Sequence, residues 1–236
     1  MNSNRKTAII VGVLFIIGTL AGIISAVFTG SMLYAPDYLV KVSANETQMI
    51  LGSLFVWLMG FSLALVPLFM YPIFKKQNEV LAIGYVIFRG AIETITYLGI
   101  GVCMLLLLNL SKDYVKADVL NLSNYQNLGA ILFKTSGLIS LSTIFVFSLG
   151  TVMFYLLLFQ SKLIPRWLSI WGLGAVALHL ATGLLMMFGL QAESSTLNTA
   201  MNFPMFLQEM VMAVWLIVKG FNPNVINLMS EKEWKK

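Results

Sequence analysis

The sequence predicts an all-α protein, a polytopic integral membrane protein built as a bundle of six transmembrane helices. Three observations predict it. Hydrophobic residues make up 58% of the 236 residues and charged residues only 11%, whereas about a quarter of a soluble domain is charged. Mean hydropathy is +0.86. Apolar runs long enough for a helix to cross the hydrocarbon, about 20 residues each, recur six times, at about 8–32, 49–71, 80–108, 128–159, 167–190 and 200–218. The whole chain, 1–236, is expected to form one transmembrane domain, with no low-complexity segment and no soluble domain.

The first run follows Arg5 and Lys6 and passes small residues near Ser25 and Ala26, as a secretory leader would. Its apolar stretch outruns the roughly 7–15 residues of a leader, and no small-x-small cleavage pattern closes it. It is therefore read as an uncleaved span. Gly18 and Gly22, continued by Ala26 and Gly30, form a small-residue stripe. Such stripes permit close backbone approach, read here as packing within one chain, with a homo-oligomer interface as the alternative. Pro67 lies in the second run, Pro72 just after it and Pro204 in the sixth; proline kinks a membrane helix and releases carbonyls. The fourth run exceeds one bilayer thickness, so its first turns are expected beyond the lipid or the helix tilted. Lys134, near its outer start, can snorkel to the headgroups. Polar links at 74–79 and 160–166 and longer polar loops at 35–48 and 109–127 separate the runs.

Orientation follows from basic residues, which concentrate on the cytoplasmic side. With the N-terminus inside, ten of the fifteen lysines and arginines fall on inside segments. Lys41, Lys112 and Lys116 fall outside, and Arg89 and Lys134 lie within helices. Both termini are expected in the cytoplasm and the protein in the cell membrane. Trp167, Trp215 and Tyr71, near the inner ends, suit an interfacial aromatic belt.

Charge within a span is costly and usually faces the bundle interior with a partner. In "VIFRGAIETITYLG" (86–99), Arg89 and Glu93 stand four apart and share a helix face; Tyr97 extends that face by a turn. At about 1.5 Å per residue, Arg89 lies roughly 15 Å and Glu93 roughly 20 Å from the inner end. Glu209 on the sixth span lies roughly 15 Å from the same surface, and His179 on the fifth roughly 20 Å. Arg89 thus matches Glu209 in depth, and Glu93 matches His179. One arginine does not require two carboxylates. Arg89, Glu93, Tyr97, His179, Gln208 and Glu209 are therefore the candidate residues of a polar site, against the alternative of a salt-bridge cluster that only fixes helix register. Asn202 would line its outer mouth.

Several chemistries are excluded. A single cysteine, Cys103, and a single histidine build neither a thiolate nor a multi-histidine metal site, so no metal or cofactor is expected. "KTSGLIS" (134–140) and "HLATGLLMMFG" (179–189) superficially resemble the paired motifs of rhomboid-type serine proteases. Lys134 stands where that nucleophile motif has glycine, however, and His179 lies on the fifth span rather than the sixth. Membrane prenyl endopeptidases and ceramidase-like zinc hydrolases need more histidines. No phosphate-binding glycine loop and no basic groove for nucleic acid is present.

Three segments carry a resemblance to a known family: "FRGAIETITY" (88–97), "PRWLSIWG" (165–172) and "FPMFLQEMVMAVWLIVKGFN" (203–222). On these the whole chain resembles the bacterial multi-pass membrane proteins grouped under a domain of unknown function. The resemblance implies a membrane location and this architecture, and no particular activity. The residues themselves point to a small molecule or ion bound or transported at a midplane polar site within the lipid bilayer. The alternatives are an intramembrane enzyme using a glutamate or histidine as general base, and a structural or regulatory partner of another membrane protein.

Overall fold

The computed structural model of the chain describes residues 3–233, which form helices and no strand. In chain order these are α1 (Ser3–Leu33), α2 (Tyr38–Ala44), α3 (Glu46–Phe74), α4 (Glu79–Tyr85), a π-helical segment (Val86–Ile92) and α5 (Glu93–Tyr114). A 3₁₀ turn (Val119–Asn121), α6 (Leu122–Ser161), α7 (Arg166–Met187), α8 (Thr196–Val218) and α9 (Pro223–Glu233) complete the order. Six of the resulting helical stretches are long and apolar enough to cross a bilayer, which makes the chain a multi-pass membrane protein. Their outward residues agree. Val27 is 72% and Ile95 65% exposed, a wide apolar surface that suits lipid as the solvent and would be a liability in water.

Local signals set the ends. Asn78 caps α4 by accepting from Leu81 N–H at 3.1 Å, and Ser195 caps α8 through Asn198 N–H at 3.1 Å, both replacing a missing intrahelical acceptor. The fifth span stops at Met187, short of the expected 190. Gly189 takes φ 69°, Leu190 N–H returns to Leu185 O at 2.8 Å, and Gly189 N–H returns to Met186 O at 3.0 Å. This left-handed turn satisfies the last carbonyls of the helix. The two stretches expected as long polar loops are largely helical. Leu39 and Val42, three apart, are buried, so α2 forms by laying that pair on apolar neighbours, while α5 and α6 simply run on past the apolar runs.

The chain divides into two compact units. The first takes the described parts of Met1–Ile17, Ser62–Glu93 and Ile144–Lys236. Its apolar centre is Phe154, whose ring stacks on Tyr85 at 5.0 Å and meets Tyr155, Phe74 and Phe15 at 5.1, 5.8 and 5.9 Å. Arg5 donates to Leu216 O at 2.9 Å and Ile217 O at 2.5 Å, a cation on the negative end of α8.

The second unit is Gly18–Phe61 and Thr94–Thr143. Met32, Leu39, Val42, Met49, Val56, Met104, Leu107 and Leu108 form its core. Lipid supplies no hydrophobic drive between helices, so dispersion and hydrogen bonds hold them. Ser25 donates to Gly52 O at 2.8 Å and Trp57 to Leu98 O at 3.3 Å. Within the small-residue stripe of α1, Gly22 faces Met59, whereas nothing beyond the local helix backbone comes within 4 Å of where a side chain at Gly30 would begin.

Candidate functional site

The third span is not a uniform α-helix. Between Val86 and Ile92 it widens into a π-helix, and the Glu93 N–H bonds to Phe88 O, five residues back. A π turn inserts a residue into the helical ladder and is frequent at functional sites. It turns everything after it by about 100° relative to an unbroken α-helix. Arg89 lies in the middle of this segment, 2% exposed. Its backbone sits against α6 so closely that a Cβ on Gly150 would stand 3.0 Å from Arg89 N and Cβ. Glycine at 150 permits that approach.

The Arg89 guanidinium divides its donors between two carboxylates. Nη1 donates to Glu93 Oε1 at 2.7 Å and Nη2 to Glu209 Oε1 at 3.2 Å. The Phe147 ring on α6 lies 4.3 Å from the guanidinium carbon, a cation–π contact in a desolvated setting. The two acids differ in surroundings. The Glu93 side chain is 1% exposed and that of Glu209 14%. With both carboxylates ionised, one guanidinium would leave a formal excess of one negative charge, in a place where uncompensated charge is expensive.

Tyr85, one α-helical turn before Arg89 and wholly buried, brings its hydroxyl near Arg89, Glu93 and Glu209. That hydroxyl faces Arg89 without reaching full hydrogen-bond geometry. Next to Glu209, Gln208 ties three helices together. Its Oε1 accepts from the Tyr155 hydroxyl of α6, and its Nε2 donates to Leu168 O of α7 at 3.0 Å. The Tyr155 ring lies where a side chain at Gly172 of α7 would be.

His179 reaches the cluster differently from expectation. Its Nδ1 pairs with Asn202 Oδ1 at 2.5 Å, and its ring meets Phe147 edge-on at 4.8 Å. The same phenylalanine thus touches both imidazole and guanidinium, and the match in depth with Glu93 does not become a hydrogen bond. Asn202 belongs to a polar ladder along α8. Its Nδ2 donates to Asn198 Oδ1 at 2.9 Å, which also accepts from Gln191 at 3.1 Å, while Asn198 Nδ2 donates to Glu193 O at 2.7 Å. Asn198, Asn202 and Glu209 fall on one helical face by spacing, so the ladder starts in the α7–α8 loop and runs toward the carboxylate.

Of the six residues expected from sequence, Arg89, Glu93 and Glu209 meet directly. Gln208 adjoins them, and His179 joins through Phe147. Tyr97 falls in the second unit, where it packs beside Gly60 and against the methionine-rich core. The cluster extends backward from Arg89 to Tyr85 rather than forward to Tyr97. Extending the spacing in both directions would have found Tyr85. Phe147 carries no signal that separates it from the other phenylalanines.

A comparison of the chain with curated proteins and with solved structures found no match. The family model for a domain of unknown function, DUF4386, matches residues 10–220, nearly the whole chain, with two of the three segments that carried the resemblance and all but the last two residues of the third, and the protein belongs to that family.

Proposed function

We propose that the protein binds or transports a small molecule or ion at a polar site deep in the membrane, and that Glu209 meets that ligand. The observation that carries the reading is the imbalance at Arg89: two carboxylates, one guanidinium, and the second carboxylate the more accessible. A cation, a cationic small molecule or a proton supplies the missing positive charge. Glu93 holds the arginine, Phe147 covers it, and the arginine in turn aims Glu209. The Asn198–Asn202–His179 ladder gives a polar ligand hydrogen-bonding groups along its approach from the α7–α8 loop. The Tyr85 hydroxyl offers one more group at the site.

Intramembrane carboxylates that take up cations or protons have no apolar substitute, whereas a purely structural ion pair can often be replaced by apolar residues of similar volume. The test is a deletion strain complemented with Arg89→Met, Glu93→Leu and Glu209→Leu combined. A normally expressed, folded triple variant that fails to complement is expected; full complementation overturns the reading. Reconstituted protein adds a direct measurement, with uptake or binding across a panel of cations lost in Glu209→Gln.

A further inference from the structure

A second site lies elsewhere in the first unit. The turn between α6 and α7 and the turn between α8 and α9 are tied by Asn222 N–H donating to Leu163 O at 2.9 Å. They enclose a crevice of about 460 Å³. Three cations line it, Lys162, Arg166 and Lys219, and no carboxylate does. Among the described residues none of the three makes an ion pair. Leu163, Trp215 and Phe221 make the rest of the lining largely apolar.

Two details strengthen the positive character. Lys162 takes φ 59°, a left-handed backbone that a helix end usually gives to glycine, yet a charged side chain stands there. Arg166 is the first residue of α7, and the unsatisfied N–H groups of a helix start add positive potential. Its guanidinium lies 5.0 Å from the Phe159 ring. Like charges gathered without a counter-charge repel one another, and an anion relieves that repulsion.

We infer that the crevice holds an anionic phospholipid, with its headgroup phosphate among Lys162, Arg166 and Lys219 and its glycerol and first acyl carbons against Trp215 and Phe221. A soluble anion would match the cations and leave the apolar lining wet; an amphiphile matches both. Basic pockets between membrane helices are suited to anionic headgroups. Tryptophans favour the headgroup level, where Trp167 beside the crevice is half-exposed. The orientation expected from the basic residues turns this end toward the cytoplasmic leaflet, which carries the anionic lipid.

The test uses purified full-length protein in a neutral detergent. Phosphatidylglycerol, phosphatidylcholine and inorganic phosphate are compared as added ligands by thermal shift and by lipid retention in native mass spectrometry. Phosphatidylglycerol alone should stabilise and be retained. Lys162→Gln, Arg166→Gln and Lys219→Gln should each weaken it about fivefold, while the Lys75→Gln, Lys76→Gln double variant keeps wild-type affinity. Unchanged retention by the three single variants overturns the proposal, as does equal loss in the double variant, which would mark diffuse surface charge. Stabilisation by inorganic phosphate equal to that by the lipid would make the site one for a soluble anion and also overturn it.

Discussion

Removing Arg89 alone and removing the whole cluster should have opposite consequences for stability. At an effective dielectric constant near 20, ion pairs at the 2.7 Å and 3.2 Å found here attract by about 6 and about 5 kcal/mol. Those gains are offset by desolvation of three ions at several kcal/mol each, which is why a complete buried cluster is close to neutral against an apolar replacement. Arg89→Met removes the attraction and leaves the desolvation of both carboxylates in place. By analogy with buried pairs in soluble proteins that change costs about 3–5 kcal/mol, and loss of the Phe147 contact adds about 1 kcal/mol.

For a chain of this length each kcal/mol moves the melting temperature by about 2–4 °C, so Arg89→Met should melt about 10 °C or more below the parent. The triple variant Arg89→Met, Glu93→Leu, Glu209→Leu should recover most of that loss. Lys134→Met, at an exposed lysine, serves as the control and should shift little. The assay is thermal unfolding of purified protein in one detergent, followed by tryptophan fluorescence and by loss of monodisperse protein. An Arg89→Met variant as stable as Lys134→Met, or a triple variant less stable than Arg89→Met, would refute the charge argument.

The two buried tyrosine hydroxyls should also separate. Tyr155→Phe strands the Oε1 of Gln208, which is wholly buried, at a cost of about 1–3 kcal/mol; Tyr85→Phe removes a hydroxyl that approaches Arg89 without full hydrogen-bond geometry and should cost less. Denaturation of the two variants side by side decides it, and a larger loss for Tyr85→Phe would contradict the assignment. For topology, cysteines at Asn45 or Asn121 in a Cys103→Ala background should label from outside intact cells, and a cysteine at Gln77 should not. Labelling of Gln77 from outside would reverse the inside-positive orientation.

Spans were legible because their signal is additive. Twenty apolar residues in succession leave few other places for a chain to go, and the helices formed around all six runs. Register was less legible. Arg89 and Glu209 meet as their depth in the sequence implies, because depth depends only on rise per residue. Rotation about the helix axis depends on every residue counted, and the π segment over Val86–Ile92 changes how the residues before it line up with those after it. No residue in "VIFRGAI" announces that widening; Gly90 permits it without requiring it. The buried α2 pair, Leu39 and Val42, shows the opposite failure. A seven-residue apolar stretch broken by Lys41 and Ser43 is too short to mark a helix, yet its buried pair is enough to dock one when the core offers a surface.

The arrangement at Arg89 also bears on whether the cluster is only a girder. A register-fixing ion pair in lipid needs one acid and one base, both sealed, since each gains most from the other when water is excluded. Arg89 and Glu93 meet that description, within one helical segment, and so do little to fix one helix against another. Glu209 is the member that links separate helices, and it makes the longer contact and has the more exposed carboxylate. If linking helices were its whole task, Gln208 beside it already performs it with neutral hydrogen bonds to α6 and α7 and no net charge to stabilise. A second carboxylate kept partly accessible, on the same helical face as a polar ladder, adds negative charge where structure alone has no use for it. On the proposed function that carboxylate is the group a ligand would meet, and Glu209 is the residue where that ligand should first be sought.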